Sequence, residues 1–219
     1  MRLRFGELRR LIREAAGIGD DLAAVVDEGS NGFKATVYDP VALEDLALDS
    51  PSVFSDGPTA LKSCIVGRVH VVSPDTPCLG AMKVASIAGP GKLMYGLAYA
   101  LSPSGLLISD RESMTPVAVD AWKRMAAKGG RGRRQLDNIS DPQTPPTDDD
   151  CELRPEEFLN YAYELEGWEK ETLRSLQSEH ERLVKRLTAD GKLERLGIEL
   201  AILSAGFAFF QTKYKAAAR

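Results

Sequence analysis

Apolar residues occur in short β-branched runs through the first half of the chain and change to a three-four spacing in its last third. Residues 22–28 and 33–38 are two such runs, separated by Gly29-Ser30-Asn31-Gly32. Asn-Gly is a strong hairpin signal, because both residues tolerate the positive φ a tight turn needs. Residues 40–48 predict a short helix. The runs 65–73 and 79–88, joined by the breaker-rich Pro74-Asp75-Thr76-Pro77, predict adjacent antiparallel strands. A helix over 92–101, a strand over 105–109 and a helix over 115–127 follow, the last with Val117, Ala118, Ala121, Trp122 and Met125 as its apolar face. Strands first, then strand, turn, helix, strand and helix, predict an α+β layer: a mixed, mainly antiparallel sheet flanked by helices.

Beyond residue 153 the period is helical. A short helix is expected over 154–164, with Pro155 in its first turn. Leu173, Leu176, His180, Leu183 and Leu187 form a heptad seam, which resumes after Asp190-Gly191 as Leu193, Leu196, Leu200, Leu203, Phe207, Phe210 and Tyr214. Two such helices across a tight turn predict an antiparallel helical hairpin. Ile198, Ala201, Ile202, Ala205 and Phe209 widen the second helix's apolar face, so it should also dock on the sheet or on another copy. His180 falls in the stripe, where a core or interface histidine is the ordinary reading ahead of a ligand or a base. At the other end, Leu8, Leu11, Ile12 and Ala15 make an amphipathic stripe whose flanks carry Arg2, Arg4, Arg9, Arg10 and Arg13. A docked helix, a partner-binding segment and a membrane-surface helix all fit it; Glu7 and Glu14 count against an organelle leader.

Charge divides the chain further. Residues 123–134 hold six bases and no acid, whereas 137–157 hold eight acids, one base and four prolines. The organisation expected is a basic N-terminal helix (1–17), an α/β domain (20–135), an acidic Pro-rich linker (136–153) and a helical hairpin region (154–219). The two oppositely charged blocks can pair with each other, which ranks ahead of phosphate binding by Arg131, Arg133 and Arg134 and of metal binding by Asp148-Asp149-Asp150. A net charge of −4 argues against a nucleic-acid-binding polycation. The three cysteines, Cys64, Cys78 and Cys151, lack metal-ligand spacing and fit reduced thiols of a cytoplasmic protein. With only His70 and His180, no histidine-rich metal centre is expected. No apolar run reaches the ~18–20 residues of a membrane span, so no membrane partner is expected.

The most informative stretch is Ala88-Gly89-Pro90-Gly91-Lys92, where a strand gives way to a helix. The glycines open backbone angles closed to other residues. The first N–H groups of the helix have no partner within it and carry the positive end of its dipole, so such a turn can cradle a phosphate. A ligand-free connection is the competing reading. Two phosphate loops do not fit: a P-loop requires glycine where Ser86 stands and a hydroxyl where Leu93 stands, and the dinucleotide fingerprint requires glycine at Met94.

Ser86-Ile87-Ala88-Gly89-Pro90-Gly91 resembles the Q/R-x-x-G-x-G/A loop of the GNAT acyl-CoA N-acyltransferase superfamily. The following helix and strand, and then Ser113-x4-Ala118-x3-Trp122, are similar to that family's N-x-x-A-x-x-x-Y element. The resemblance spans roughly residues 20–130 and implies a GNAT-like fold, with acetyl-CoA or another acyl-CoA as cofactor and an amine as acceptor. It implies that Ala88, Gly89, Gly91, Lys92 and Leu93 hold the CoA pyrophosphate, and that backbone groups of residues 84–87 face the pantetheine arm. Ser86 replaces the usual glutamine or arginine, and Trp122 stands where many members have a tyrosine acting as general acid. Tryptophan has no titratable proton, so Asp110 or Ser113 is the candidate for acid–base or substrate contacts. Their structural roles are an ion pair with Arg111 and a helix N-cap, respectively. The opening stretch from Leu3 to Glu14, with Leu8-Arg9-Arg10-Leu11-Ile12-Arg13-Glu14, and the stretch from Leu107 to Tyr163 also resemble proteins of tailed phages. That implies an alternative: a non-catalytic structural or interaction protein of a phage particle. It would assemble with copies of itself or with the virion through the N-terminal helix and the C-terminal hairpin, in the host cytoplasm or the virion.

Overall fold

The computed structural model describes residues 22–74, 79–111, 114–127, 133–135, 154–164, 170–189 and 191–217. The N-terminal stripe, Ser113, Cys78, Cys151 and the acidic segment 136–153 lie outside the described residues. Strands β1 (Ala23–Gly29) and β2 (Gly32–Tyr38) form the expected hairpin, with Gly29 opposite Gly32 across Ser30-Asn31. Helix α1 (Pro40–Asp49) starts where the sequence says it should: the Asp39 carboxylate accepts the N–H groups of Val41 at 2.9 Å and Ala42 at 3.1 Å, and Pro40 supplies a pre-set φ at the first position. Two 3₁₀ turns, Pro51–Phe54 and Ala60–Cys64, lead into β3 (Ile65–Val72) and β4 (Met82–Ala88), which pair antiparallel as expected.

Helix α2 (Gly91–Leu101), β5 (Leu106–Ile108) and helix α3 (Pro116–Ala127) follow. Of the five apolar positions expected on α3, Trp122 is buried and Val117 is 71% exposed. Strands β6 (Arg133–Gln135) and β7 (Tyr161–Glu164) complete a seven-stranded sheet in the order β1-β2-β3-β4-β5-β7-β6. Its neighbours pair antiparallel except β4 and β5, which are parallel. The helix expected over 154–164 is not there. A 3₁₀ turn at Glu157–Asn160 runs straight into β7, which inserts between β5 and β6. The Asn160 amide fixes that turn by exchanging hydrogen bonds with the backbone of Arg154, at 2.7 and 2.8 Å.

Both faces of the sheet are covered. On one, Ala35, Val37, Val69 and Val71 pack with Met94 and Leu97 of α2 and Trp122 of α3. On the other, Ala23, Val25 and Tyr38 pack with Leu43 of α1 and with Ile198 and Ile202 of helix α5 (Arg195–Ala217). Double coverage is why the strands read as near-continuous apolar runs. Helix α4 (Lys170–Leu187) lies along β1, the outermost strand, with Leu176 in one layer and Leu183 in the other. It thereby shields an edge that would otherwise pair with another chain.

Helices α4 and α5 meet near their connection through charge rather than along a seam. Arg195 reaches Glu181 in a bidentate pair and Glu199 at 2.7 Å, and Glu199 in turn accepts from His180 Nε2 at 3.2 Å. With Nε2 donating to a carboxylate, a neutral ring has Nδ1 free as acceptor for the Tyr38 hydroxyl at 2.8 Å. Burial, and then Glu199, push the Tyr38 hydroxyl pKa up, so it keeps its proton and donates. Three residues of the seam expected on α5 face outward, with Leu196 63%, Leu200 54% and Phe207 48% exposed, while Leu193 and Leu203 pack partly against the core. Buried instead are Ile198, Ile202 and Ala205, the residues that widened its apolar face.

Candidate functional site

Strands β4 and β5 are paired only at Met82–Leu107 and Lys83–Ile108. From residue 84 to 88, β4 has no strand partner on that side among the described residues, while its other edge stays bonded to β3. Strand β5 ends at Ile108, so among the described residues the β4 edge runs on unpaired toward its C-terminal end, where α2 begins. In open α/β layers, this is the place where a ligand reaches free backbone groups.

Gly89 makes the corner possible. Its φ is 113°, and a Cβ there would lie 2.6 Å from the Val66 carbonyl oxygen and 2.7 Å from Gly67 Cα. Any side chain would push β4 off β3. Gly91 is different: a Cβ at that position meets nothing within 4 Å. The N-cap residue is Pro90, which has no side-chain acceptor, and no acidic residue stands in the first turn. The first intrahelical bond runs from Met94 N–H to the Pro90 carbonyl at 3.0 Å. Among the described residues, no side chain caps the N–H groups of Gly91, Lys92 and Leu93, and the helix dipole adds to their field. Ala88 and Leu93 turn their side chains into the core, so only their backbone faces the turn, whereas the Lys92 side chain is exposed.

Asp110 follows β5 at the same end of the sheet and is half-buried. Ser113 lies outside the described residues. Trp122 is 1% exposed, with its ring 5.6 Å from Tyr95 edge-on and 5.3 Å from Tyr163. It is a core residue holding α3 against α2 and β7. The Tyr95 hydroxyl is pushed up to about 12 by burial, with Arg124 opposing, so it holds its proton at neutral pH.

Sequence reasoning missed a second arrangement. On the α5 face, Asp27, Lys34, His70 and Ser86 stand directly opposite one another across four strands, with Arg68 two residues before His70 on the same face. Lys34 Nζ is 3.7 Å from an Asp27 oxygen. Burial, then the charges of Arg68 and Lys34, hold the His70 pKa below its usual value, with Asp27 opposing them. The signal was present in Ile65-Val66-Gly67-Arg68-Val69-His70-Val71-Val72: two polar residues at period two inside a β-branched run mark one face as partly open. Among the described residues, no cluster of three or more His, Cys, Asp or Glu could hold a metal ion, and no helix is long and apolar enough to cross a membrane. Comparison of the chain with protein-family models, with curated proteins and with solved structures finds no match.

Proposed function

We propose that the chain binds an acyl-CoA at the turn between β4 and α2 and acts as a GNAT-like N-acyltransferase on an amine. The observation that carries this reading is the β4 edge beyond Lys83, unpaired among the described residues, with a helix N-terminus lacking a side-chain cap at its end. The cradle fits a pyrophosphate: backbone N–H groups of Gly91, Lys92 and Leu93 point out of the first turn, Lys92 adds a cation, and the space over Gly91 is open. The edge of residues 84–88, unpaired among the described residues, offers backbone groups to an amide-bearing arm laid along it. The bound acyl-CoA supplies a thioester carbonyl that an amine can attack. The amine must first lose its proton, and Asp110, just beyond β5, is the described carboxylate assigned to receive it. Trp122, fixed in the core, plays no part in proton transfer.

Titration calorimetry with acetyl-CoA tests the reading. The wild-type chain should bind, and Gly91→Glu should lose binding by at least ~100-fold through overlap and charge repulsion with the pyrophosphate. Its melting temperature should hold, because the Gly91 position is open. Gly89→Ala, in contrast, should lower stability by about 1–3 kcal/mol, since positive φ and two backbone contacts oppose a Cβ. A folded wild-type chain that takes up no CoA ester, or a Gly91→Glu variant that binds as tightly, rejects the proposal.

A second reading, a non-catalytic interaction protein of a phage particle on the same scaffold, is supported by the outward-facing Leu196, Leu200 and Phe207 of α5. It predicts a multiple of the 23.8 kDa chain mass by light scattering, with no CoA binding.

A further inference from the structure

A groove of about 380 Å³ runs between α5 and the polar row on the sheet, distinct in chemistry and in lining from the turn between β4 and α2. Its floor is Arg68, only 8% exposed, whose guanidinium lies 5.2 Å from the Phe207 ring centre and 5.9 Å from that of Phe210. Among the described residues, Arg68 has no hydrogen bond and no ion pair. No guanidinium nitrogen of Arg68 is both sealed from solvent and unpartnered, so its stem is buried against the aromatic faces while its N–H donors open into the groove. Burial lowers its pKa accordingly. A guanidinium held in one place by two rings, open to a groove and without a protein acceptor, is preorganised to take an anion from outside the fold.

We infer that this groove binds a small monoanionic carboxylate with an apolar body, the carboxylate on Arg68 and Lys34 and the body against Leu200, Leu203 and Phe207. Charge selects the anion. Lys34 and Arg68 against Asp27 leave the lining one positive charge, which a single carboxylate balances and a phosphate overshoots. Geometry selects it again, because the planar fork of an arginine matches the two oxygens of a carboxylate. The wall of α5 selects the body: Leu200 and Phe207 are large, apolar and half open to solvent at the rim of a groove of small-molecule size.

The test is calorimetric titration of the full chain with octanoate, octanamide and inorganic phosphate. Octanoate should bind one to one; octanamide, with the same body and no charge, should bind at least ~10-fold more weakly, and phosphate more weakly still. Arg68→Met should lose octanoate binding without lowering the melting temperature, because no hydrogen bond or ion pair is lost and methionine keeps an apolar stem against the Phe207 and Phe210 rings. Should that variant fail to fold, Leu200→Glu, at an exposed position, places a carboxylate on the wall and should abolish octanoate binding alone. Octanamide binding as tightly as octanoate, phosphate binding more tightly than either, undiminished binding by the variants, or no binding by the folded wild type would each overturn the inference. None of these outcomes depends on whether the chain binds CoA.

Discussion

His70 reports on its neighbours. Its pKa sits below the usual histidine value because burial disfavours the imidazolium and because Arg68 and Lys34 face it with like charge, Asp27 only partly offsetting them. The folded chain therefore takes up this proton less readily than the unfolded one. The stability contributed by His70 is present above the unfolded-state pKa and is lost as pH falls from that value through the folded one. Proton NMR titration of the imidazole should give a midpoint below 6.5, the ordinary value, and Arg68→Met should raise it toward that value. A midpoint that does not move in the variant would show that the Arg68 charge has no part in setting it. The neighbouring charges were legible as sequence, since Arg68 and His70 are two apart in a strand. Their meeting with Asp27 and Lys34 was not, because register across strands is a tertiary property.

At the level of elements, the docking of α5 turns on Gly206. A glycine in mid-helix costs about 1 kcal/mol against alanine, yet here the helix backbone comes so close to β2 that a Cβ would lie 2.4 Å from Thr36 Oγ1. Gly206→Ala should therefore destabilise by about 1–3 kcal/mol despite its better helix propensity. Thr36 is fully buried, and its hydroxyl has no hydrogen-bond partner among the described residues. Thr36→Ala should accordingly be nearly neutral alone and should recover most of the loss in the double variant, as read by chemical denaturation. If the double variant is as unstable as Gly206→Ala, the notch is not what seats the helix. The same contact explains which elements the sequence disclosed. The β1–β2 hairpin, α1 with its Asp39 cap and the turn at Gly89 carry their instructions locally, and they stand where the pattern put them. The face on which α5 docks is not local. That helix is apolar around most of its circumference, so a heptad seam through Leu196, Leu200 and Phe207 could be drawn on the side that faces solvent. Strand β7 was misread for the opposite reason: Tyr161-Ala162-Tyr163-Glu164 is too short to show a period, and it becomes a strand because β5 and β6 offer edges to it.

For the molecule as a whole, the covering of the sheet is divided unequally. The α2–α3 layer is built from segments close in sequence to the strands it covers, whereas the opposite layer needs α1, α4 and, above all, α5. A chain ending at residue 190 keeps every strand but leaves Val25 and Tyr38 without Ile198, Ile202 and Ala205. It should be compact and rich in secondary structure, yet bind a hydrophobic dye strongly and melt without a cooperative transition. A sharp calorimetric peak without dye binding would show that the first layer suffices. The order of synthesis gives this arrangement a further consequence. Helix α5 leaves the ribosome after all the strands it covers, so at ~5–20 residues per second one face of the sheet stays bare for on the order of ten seconds. During that interval the nascent chain offers an apolar surface to whatever meets it first, and the yield of soluble protein should follow translation speed and chaperone supply more closely than the stability of the finished fold.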